Sequence, residues 1–172
     1  QDESWQESLF GSIPSRPNSR LLNLGYKGAL TGSILAARLP DITIIAADPN
    51  RSAVEKARDV TLRRKLPNLT VIESPSDGRL PFEANSFDTI VLTLGLHNQP
   101  PDAKLTIAKE ILRVLRHGGK LHVADYDRPA VRRERLILGV GRYISGEPAI
   151  RPHLDGSWID CFGRAGFVGV RR

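Results

Sequence analysis

Short apolar runs alternate with amphipathic stretches along almost the whole chain, and this pattern restricts the fold more than any other feature. Ile42 to Ala47 is a continuous, β-branched apolar run, as expected of a strand buried on both faces. Leu21-Leu22-Asn23-Leu24 is a shorter run that ends at a glycine, and Leu69 to Glu73, Thr89 to Leu94 and Leu121 to Ala124 read as further strands. Helical spacing separates them. Thr31 to Leu39 sets Ile34, Leu35 and Leu39 on one side, and the capping-box pattern Ser52-Ala53-Val54-Glu55 opens a second helix running to about Arg64. Leu105, Ala108, Leu112 and Leu115 form the stripe of a third, which Gly118-Gly119 is expected to end. Val131 to Tyr143 and Ser157 to Ala165 read as two more helices, the latter closed by Gly166, and a final strand is expected from Phe167.

Strands that alternate with helices require a parallel sheet covered on both faces. Right-handed crossovers then bring the strand C-termini, and with them the ligand crevice, to one edge. The expected class is therefore α/β, with a Rossmann-like, doubly wound, mostly parallel sheet. The 172 residues suffice for one domain. It is expected over residues 20–172, after an N-terminal arm or linker over 1–19 that is polar and carries Gly11, Pro14 and Pro17.

The net charge of +6 raises the question of nucleic acid. The basic residues are dispersed, in Arg63-Arg64-Lys65, Arg132-Arg133, Arg135 and Arg171-Arg172, with no aromatic residues interleaved to stack bases, which argues against it. No apolar run approaches the ~18–20 residues that span a bilayer, and Gln1-Asp2-Glu3-Ser4 lacks the segments of a signal peptide. A lone Cys161 and the absence of a Cys/His cluster at zinc spacing fit a reducing cytoplasm and no structural metal. Asn68-Leu69-Thr70 matches a glycosylation sequon, a triplet common by chance.

In a sheet of this kind glycines at the first strand's exit let the backbone come close to a ligand. Gly25, Gly28 and Gly32 stand there, and Asp48, in Ala46-Ala47-Asp48-Pro49-Asn50, closes the second strand where a carboxylate accepts from both ribose hydroxyls of an adenosine. This layout serves NAD and S-adenosylmethionine (SAM) alike. A dehydrogenase is disfavoured because Gly25 to Gly32 is not Gly-x-Gly-x-x-Gly and Tyr143 has no Lys four residues on.

The stretch from Asp77-Gly78-Arg79-Leu80-Pro81-Phe82 through Asn85-Ser86-Phe87-Asp88, Gly95-Leu96-His97-Asn98 and Arg113-Val114-Leu115-Arg116-His117-Gly118-Gly119-Lys120 to Asp125 is more specific. It resembles the second half of class I SAM-dependent methyltransferases, especially the branch holding the quinone-biosynthesis C-methyltransferases. The resemblance implies methyl transfer from SAM to a small-molecule acceptor. It assigns cofactor binding to Gly25, Gly28, Asp48, Pro49, Asp77, Gly78 and Leu94, with Asp77 and the next main-chain N–H at the adenine. His97 becomes the candidate catalytic base and Asp125 and Tyr126 the substrate contacts, whereas Phe87-Asp88 is structural. Two departures stand out. Asn23 holds the position usually acidic, with a shortened loop at Tyr26-Lys27, and the C-terminal strand pair is incomplete. They keep open a catalytically silent methyltransferase-like binding or partner subunit, and a homo- or hetero-oligomer that completes the crevice.

Overall fold

The computed structural model describes residues 7, 9–14, 16–25, 28–75, 77–126 and 147–171. The helix expected over Val131 to Tyr143, and Tyr26-Lys27 of the glycine loop, lie outside them. In chain order the elements are β1 (Arg20–Gly25), α1 (Gly28–Arg38), β2 (Thr43–Asp48), α2 (Arg51–Arg64), β3 (Leu69–Glu73), β4 (Phe87–Thr93), α3 (Pro101–Val114), β5 (Leu115–Ala124) and α4 (Glu147–Asp155). A 3₁₀ turn (Ser157–Ile159) and α5 (Asp160–Ala165) follow. The strands pair in parallel in the order β3-β2-β1-β4-β5. The alternation of short apolar runs and helices thus produces the doubly wound sheet it predicts.

Because both faces are covered, successive strand residues feed two separate apolar layers. Leu21, Ile44, Ala46, Val71 and Val91 pack with Ala29, Leu35, Ala36, Val54 and Ala57 of α1 and α2. Leu22, Leu24, Ala47, Ile90 and Leu92 pack with Ala108, Ile111 and Val114 of α3 and with Trp158, Cys161 and Phe162. The segment before Arg20, read from composition as an arm or short helix, is tied to the first layer through buried Leu9, Phe10 and Ile13. Asn68 joins the same layer: its amide nitrogen donates to the carbonyls of Ala36, Leu39 and Ile42 at 3.0–3.2 Å, an anchoring role for the sequon residue.

Several boundaries differ from the sequence expectation. Helix α1 starts at Gly28, not Thr31, since Gly28 and Gly32 are there for packing: a Cβ on Gly32 would lie 2.6 Å from that of Ala46. Helix α2 is capped by Asn50, whose side chain accepts from the Ala53 N–H at 3.1 Å, in place of the Ser52–Glu55 box. The buried stripe of α3 is Lys104, Ala108, Ile111 and Val114, one step around from the expected one.

The helix also ends earlier than Gly118-Gly119. Its last carbonyls, on Arg113 and Val114, accept from the N–H groups of Asn85 and Ser86, and Leu115 is already extended. The two glycines sit in a bulge of β5. Phe87 pairs with Leu115 and Thr89 with Lys120, so Arg116 to Gly119 stand opposite Asp88. Asp88 pins this bulge through Arg116 at 2.7 Å and receives the Arg20 N–H at 2.8 Å. Its assignment as structural agrees with this.

The strand expected from Phe167 is absent. The Phe167 N–H is spent on the Phe162 carbonyl at the end of α5, and its ring packs edge-on against Phe162 at 5.6 Å, so residues 167–171 trail off from a helix cap.

Candidate functional site

In a sheet of this order the chain winds outward from β1 first to one side and then to the other, and a crevice opens at the carboxyl ends of β1 and β4. Main chain forms its floor. Gly25 (φ +111°) leaves β1 so close to β4 that a Cβ on it would lie 1.9 Å from the Thr93 carbonyl oxygen. A Cβ on Gly95 would lie 3.5 Å from the Gly25 Cα. Between them Leu94 adopts φ +48°, a left-handed conformation costing a non-glycine residue about 1–2 kcal/mol. Its N–H is held by the Ala124 carbonyl at 2.8 Å. Gly28 faces the Ala47 carbonyl and Asn23. The chain's own packing therefore accounts for both Gly25 and Gly28, though Gly25 still bounds the crevice.

Asp48 closes β2 at this edge and is 2% exposed. One carboxylate oxygen accepts the Asn50 N–H at 2.8 Å, while the other is buried with no partner among the described residues. A buried, half-satisfied carboxylate is costly unless a donor completes it, and paired hydroxyls such as those of a ribose would do so. Pro49 beside it is exposed. Asn23, fully buried under α1, donates to the Gly28 carbonyl at 2.5 Å and leaves its own oxygen unpaired. The amide that replaces an acid thus ties down the first turn of α1. Asp77 lies in the loop after β3, largely exposed, and accepts the Arg79 N–H at 3.0 Å, while Gly78 (φ +82°) rests near Ile107 of α3. These residues fit the adenosine half of SAM at the sugar through Asp48, whereas Asp77 is engaged by Arg79, through its N–H at 3.0 Å and its guanidinium at 3.9 Å, on an exposed loop.

The other side of the crevice is built on the exits of β4 and β5. The Asp125 side chain has no exposed surface. It accepts from the Leu96 N–H at 2.7 Å, from the Tyr126 N–H at 2.8 Å and from His97 Nδ1 at 3.1 Å. Burial pushes its carboxyl up, but the His97, Leu96 and Tyr126 donors together outweigh this and hold it below the ordinary carboxylate range. With Nδ1 donating to Asp125, the neutral His97 ring carries its lone pair on Nε2, the arrangement of a general base oriented by a carboxylate. Tyr126 is half exposed and meets the His97 ring edge-on at 5.0 Å. Asp125, expected at the substrate, is therefore occupied in holding His97, and Tyr126 is the one of the pair that faces outward.

Sequence reasoning missed two residues around this cluster. Lys104 is 2% exposed on α3, and burial lowers its pKa while Asp125 and Cys161 oppose that shift. A lysine in register with Ala108 and Ile111 on the apolar stripe was the available signal. His153, expected in a loop without a role, is fully buried on α4 and stacks on Trp158. No sequence pattern marked that contact, which joins residues from elements of unrelated periodicity. Among the described residues no group of His, Cys, Asp and Glu is placed to hold a metal. A recess of about 400 Å³ lined by Glu7, Phe10, Leu35 and Arg38 lies beside the last turn of α1, at the opposite end of the sheet.

Residues 22–119 match the family described as "Methyltransferase domain". Demethylmenaquinone methyltransferase of Beutenbergia cavernae is 27% identical over 180 aligned positions, covering 97% of this chain and 70% of that protein. Ubiquinone/menaquinone biosynthesis C-methyltransferase of Agrobacterium fabrum is 32% identical over 129 positions, covering 71% of this chain and 48% of that protein. Among solved structures, PigF with SAH superposes with a TM-score of 0.75 at 22% identity, over 95% of this chain and 49% of that one, a likeness of fold. The chain thus spans 70% of the first relative's length and about half of the second's.

Proposed function

The chain belongs to the class I SAM-dependent methyltransferases, and from that premise we propose that it transfers a methyl group from SAM to a small-molecule acceptor whose nucleophilic atom gives up a proton. The observation that carries this reading is a juxtaposition at one sheet edge. Asp48, buried with an oxygen to spare, lies at the exit of β2, and His97, oriented by Asp125, lies beyond β4. When bound, SAM supplies an electrophilic methyl group together with its leaving group. Alignment then supplies most of what the protein must add.

In this reading Asp48 accepts from the ribose hydroxyls, and Asp77 with the main chain at Gly78 receives the adenine. Gly25, Gly28, Pro49 and Leu94 shape the walls rather than contribute charge. His97 Nε2 takes the acceptor's proton, and Asp125 stabilises the imidazolium that results. Tyr126 offers its ring to the acceptor. The silent alternative was raised by Asn23 and by the incomplete C-terminal strand pair; Asn23 has a packing role under α1, and the methyltransferase relatives support the active reading. The buried, unpaired Cys161 is in keeping with a reducing compartment such as the cytoplasm, and no helix among the described residues is long and apolar enough to cross a membrane.

Titration with S-adenosylhomocysteine by calorimetry tests the cofactor half. Hydrogen bonds to a charged group contribute about 1.5–3 kcal/mol, so Asp48→Ala should weaken binding by about 10–100-fold. No heat from the wild-type protein at millimolar ligand, or equal affinity in the variant, would remove the basis of this reading.

A further inference from the structure

The hydrogen bonds around His97 extend past Asp125. The carbonyl of Tyr126, the next residue, accepts a 2.5 Å hydrogen bond from His153 Nδ1. The His153 ring is fully buried and lies parallel to the Trp158 indole, with centroids 5.2 Å apart and planes 8° from each other. Trp158 in turn meets Phe162 of α5 edge-on at 6.3 Å. A stack of rings rooted in the second apolar layer therefore ends on the main chain of the turn that carries both Asp125 and Tyr126.

We propose that His153 is a positioning residue of the acceptor side: held flat on Trp158, it donates from Nδ1 to the Tyr126 carbonyl, fixes the Asp125–Tyr126 turn and through it sets the orientation of the His97 ring. This rests on the reading of His97 as the acceptor-side base. A carbonyl only accepts, so the proton of the neutral imidazole must be on Nδ1. Nε2 is buried without a partner among the described residues, as suits a bare lone pair. Burial holds His153 below the ordinary imidazole range. The Tyr126 carbonyl and Asp125 pull the other way, and Lys104 and His97 add to the lowering. Burial thus favours the neutral ring, and the carbonyl at Nδ1 favours the tautomer that carries its proton there. Had the site needed only bulk, an apolar side chain would fill it without the cost of burying two ring nitrogens. The turn also bears on His97 twice, through the carboxylate at 3.1 Å and the Tyr126 ring at 5.0 Å, so small movements of the turn reach the imidazole.

The chain contains four histidines, so ¹⁵N-histidine labelling and two-bond ¹H–¹⁵N spectra resolve each ring. In the wild-type protein His153 should show a protonated Nδ1 and a bare Nε2. His153→Asn places an amide N–H near the position of Nδ1 and keeps the donation, whereas His153→Leu removes it. The His97 peaks should shift and broaden in H153L and return to their wild-type positions in H153N. Affinity for S-adenosylhomocysteine should stay within about threefold across the three proteins, since Asp48 shares no partner with this cluster. An Nε2-protonated His153 in the wild type, unmoved His97 peaks in H153L, or peaks moved by H153N as far as by H153L would each overturn the proposal. Should H153L fail to fold, the wild-type tautomer and H153N still decide it. Calorimetric silence of the wild type with the His153–His97 coupling intact would instead overturn the methyl-transfer reading alone.

Discussion

Asp125 receives three donors on a side chain that water does not reach, which makes its contribution to stability sensitive to acid. Its folded pKa lies below the unfolded value, so it adds stability above about pH 4 that disappears as pH falls through the lowered value. His153 and His122 work at higher pH: burial lowers both, aided at His122 by Lys120, so the folded protein binds fewer protons than the unfolded chain below about pH 6.5. Urea midpoints followed from pH 8 to 3 should fall first near pH 6 and again below pH 4. The second fall should be shallower in Asp125→Asn; identical profiles would contradict the role given to this carboxylate. Burial pushes the Cys161 thiol up to about 11. A disulfide reagent at pH 8 should leave the native protein almost unmodified and titrate one thiol once it is unfolded. The positions of Asp48, His97 and Asp125 at strand exits were legible in the sequence, but the hold of Asp125 on His97 was not, since that contact joins two separate loops. His153 and Lys104 were not legible either, since their significance comes from tertiary burial that leaves no local period.

At the scale of elements, β1, β2 and β3 were read to within a residue because an apolar run buried on both faces leaves little ambiguity. By contrast, β5 begins six residues before the expected Leu121, and the strand expected from Phe167 is absent. Helix ends were read less well, since competing caps differ by small energies. Asn50 rather than Ser52 closes the N-terminus of α2, so Asn50→Ala should cost about 1 kcal/mol and Ser52→Ala far less. Chemical denaturation of the two variants compares them directly, and the reverse order would restore the capping-box reading. The end of α3 misled for a different reason. Gly118-Gly119 has the composition of a helix stop, yet Asn85 and Ser86, distant in sequence, had already satisfied the last carbonyls. The glycines instead allow the bulge: a Cβ on Gly119 would sit 2.9 Å from the carbonyl oxygens of both Arg116 and Asp88.

For the molecule as a whole, β2, β1 and β4 are paired on both sides, with β1 and β4 at the centre, whereas β3 and β5 are edges in the described sheet. Amide hydrogen exchange should be slowest in Leu21–Leu24 and Ile90–Leu92 and much faster in β3 and over residues 167–171. Equal protection across the sheet would mean that the edges are covered. The two apolar layers divide the crevice as well as the core. Asp48 extends from the strand parity that packs on α1 and α2, whereas the turn holding His97 and Tyr126 is braced by rings of α4, the 3₁₀ turn and α5. In the proposed reading, donor and recipient chambers therefore stand on separate foundations joined by the strands between them. On that reading, drift in the aromatic stack would retool what is alkylated while the nucleoside berth keeps its shape, so one scaffold would turn to new recipients without relearning its reagent.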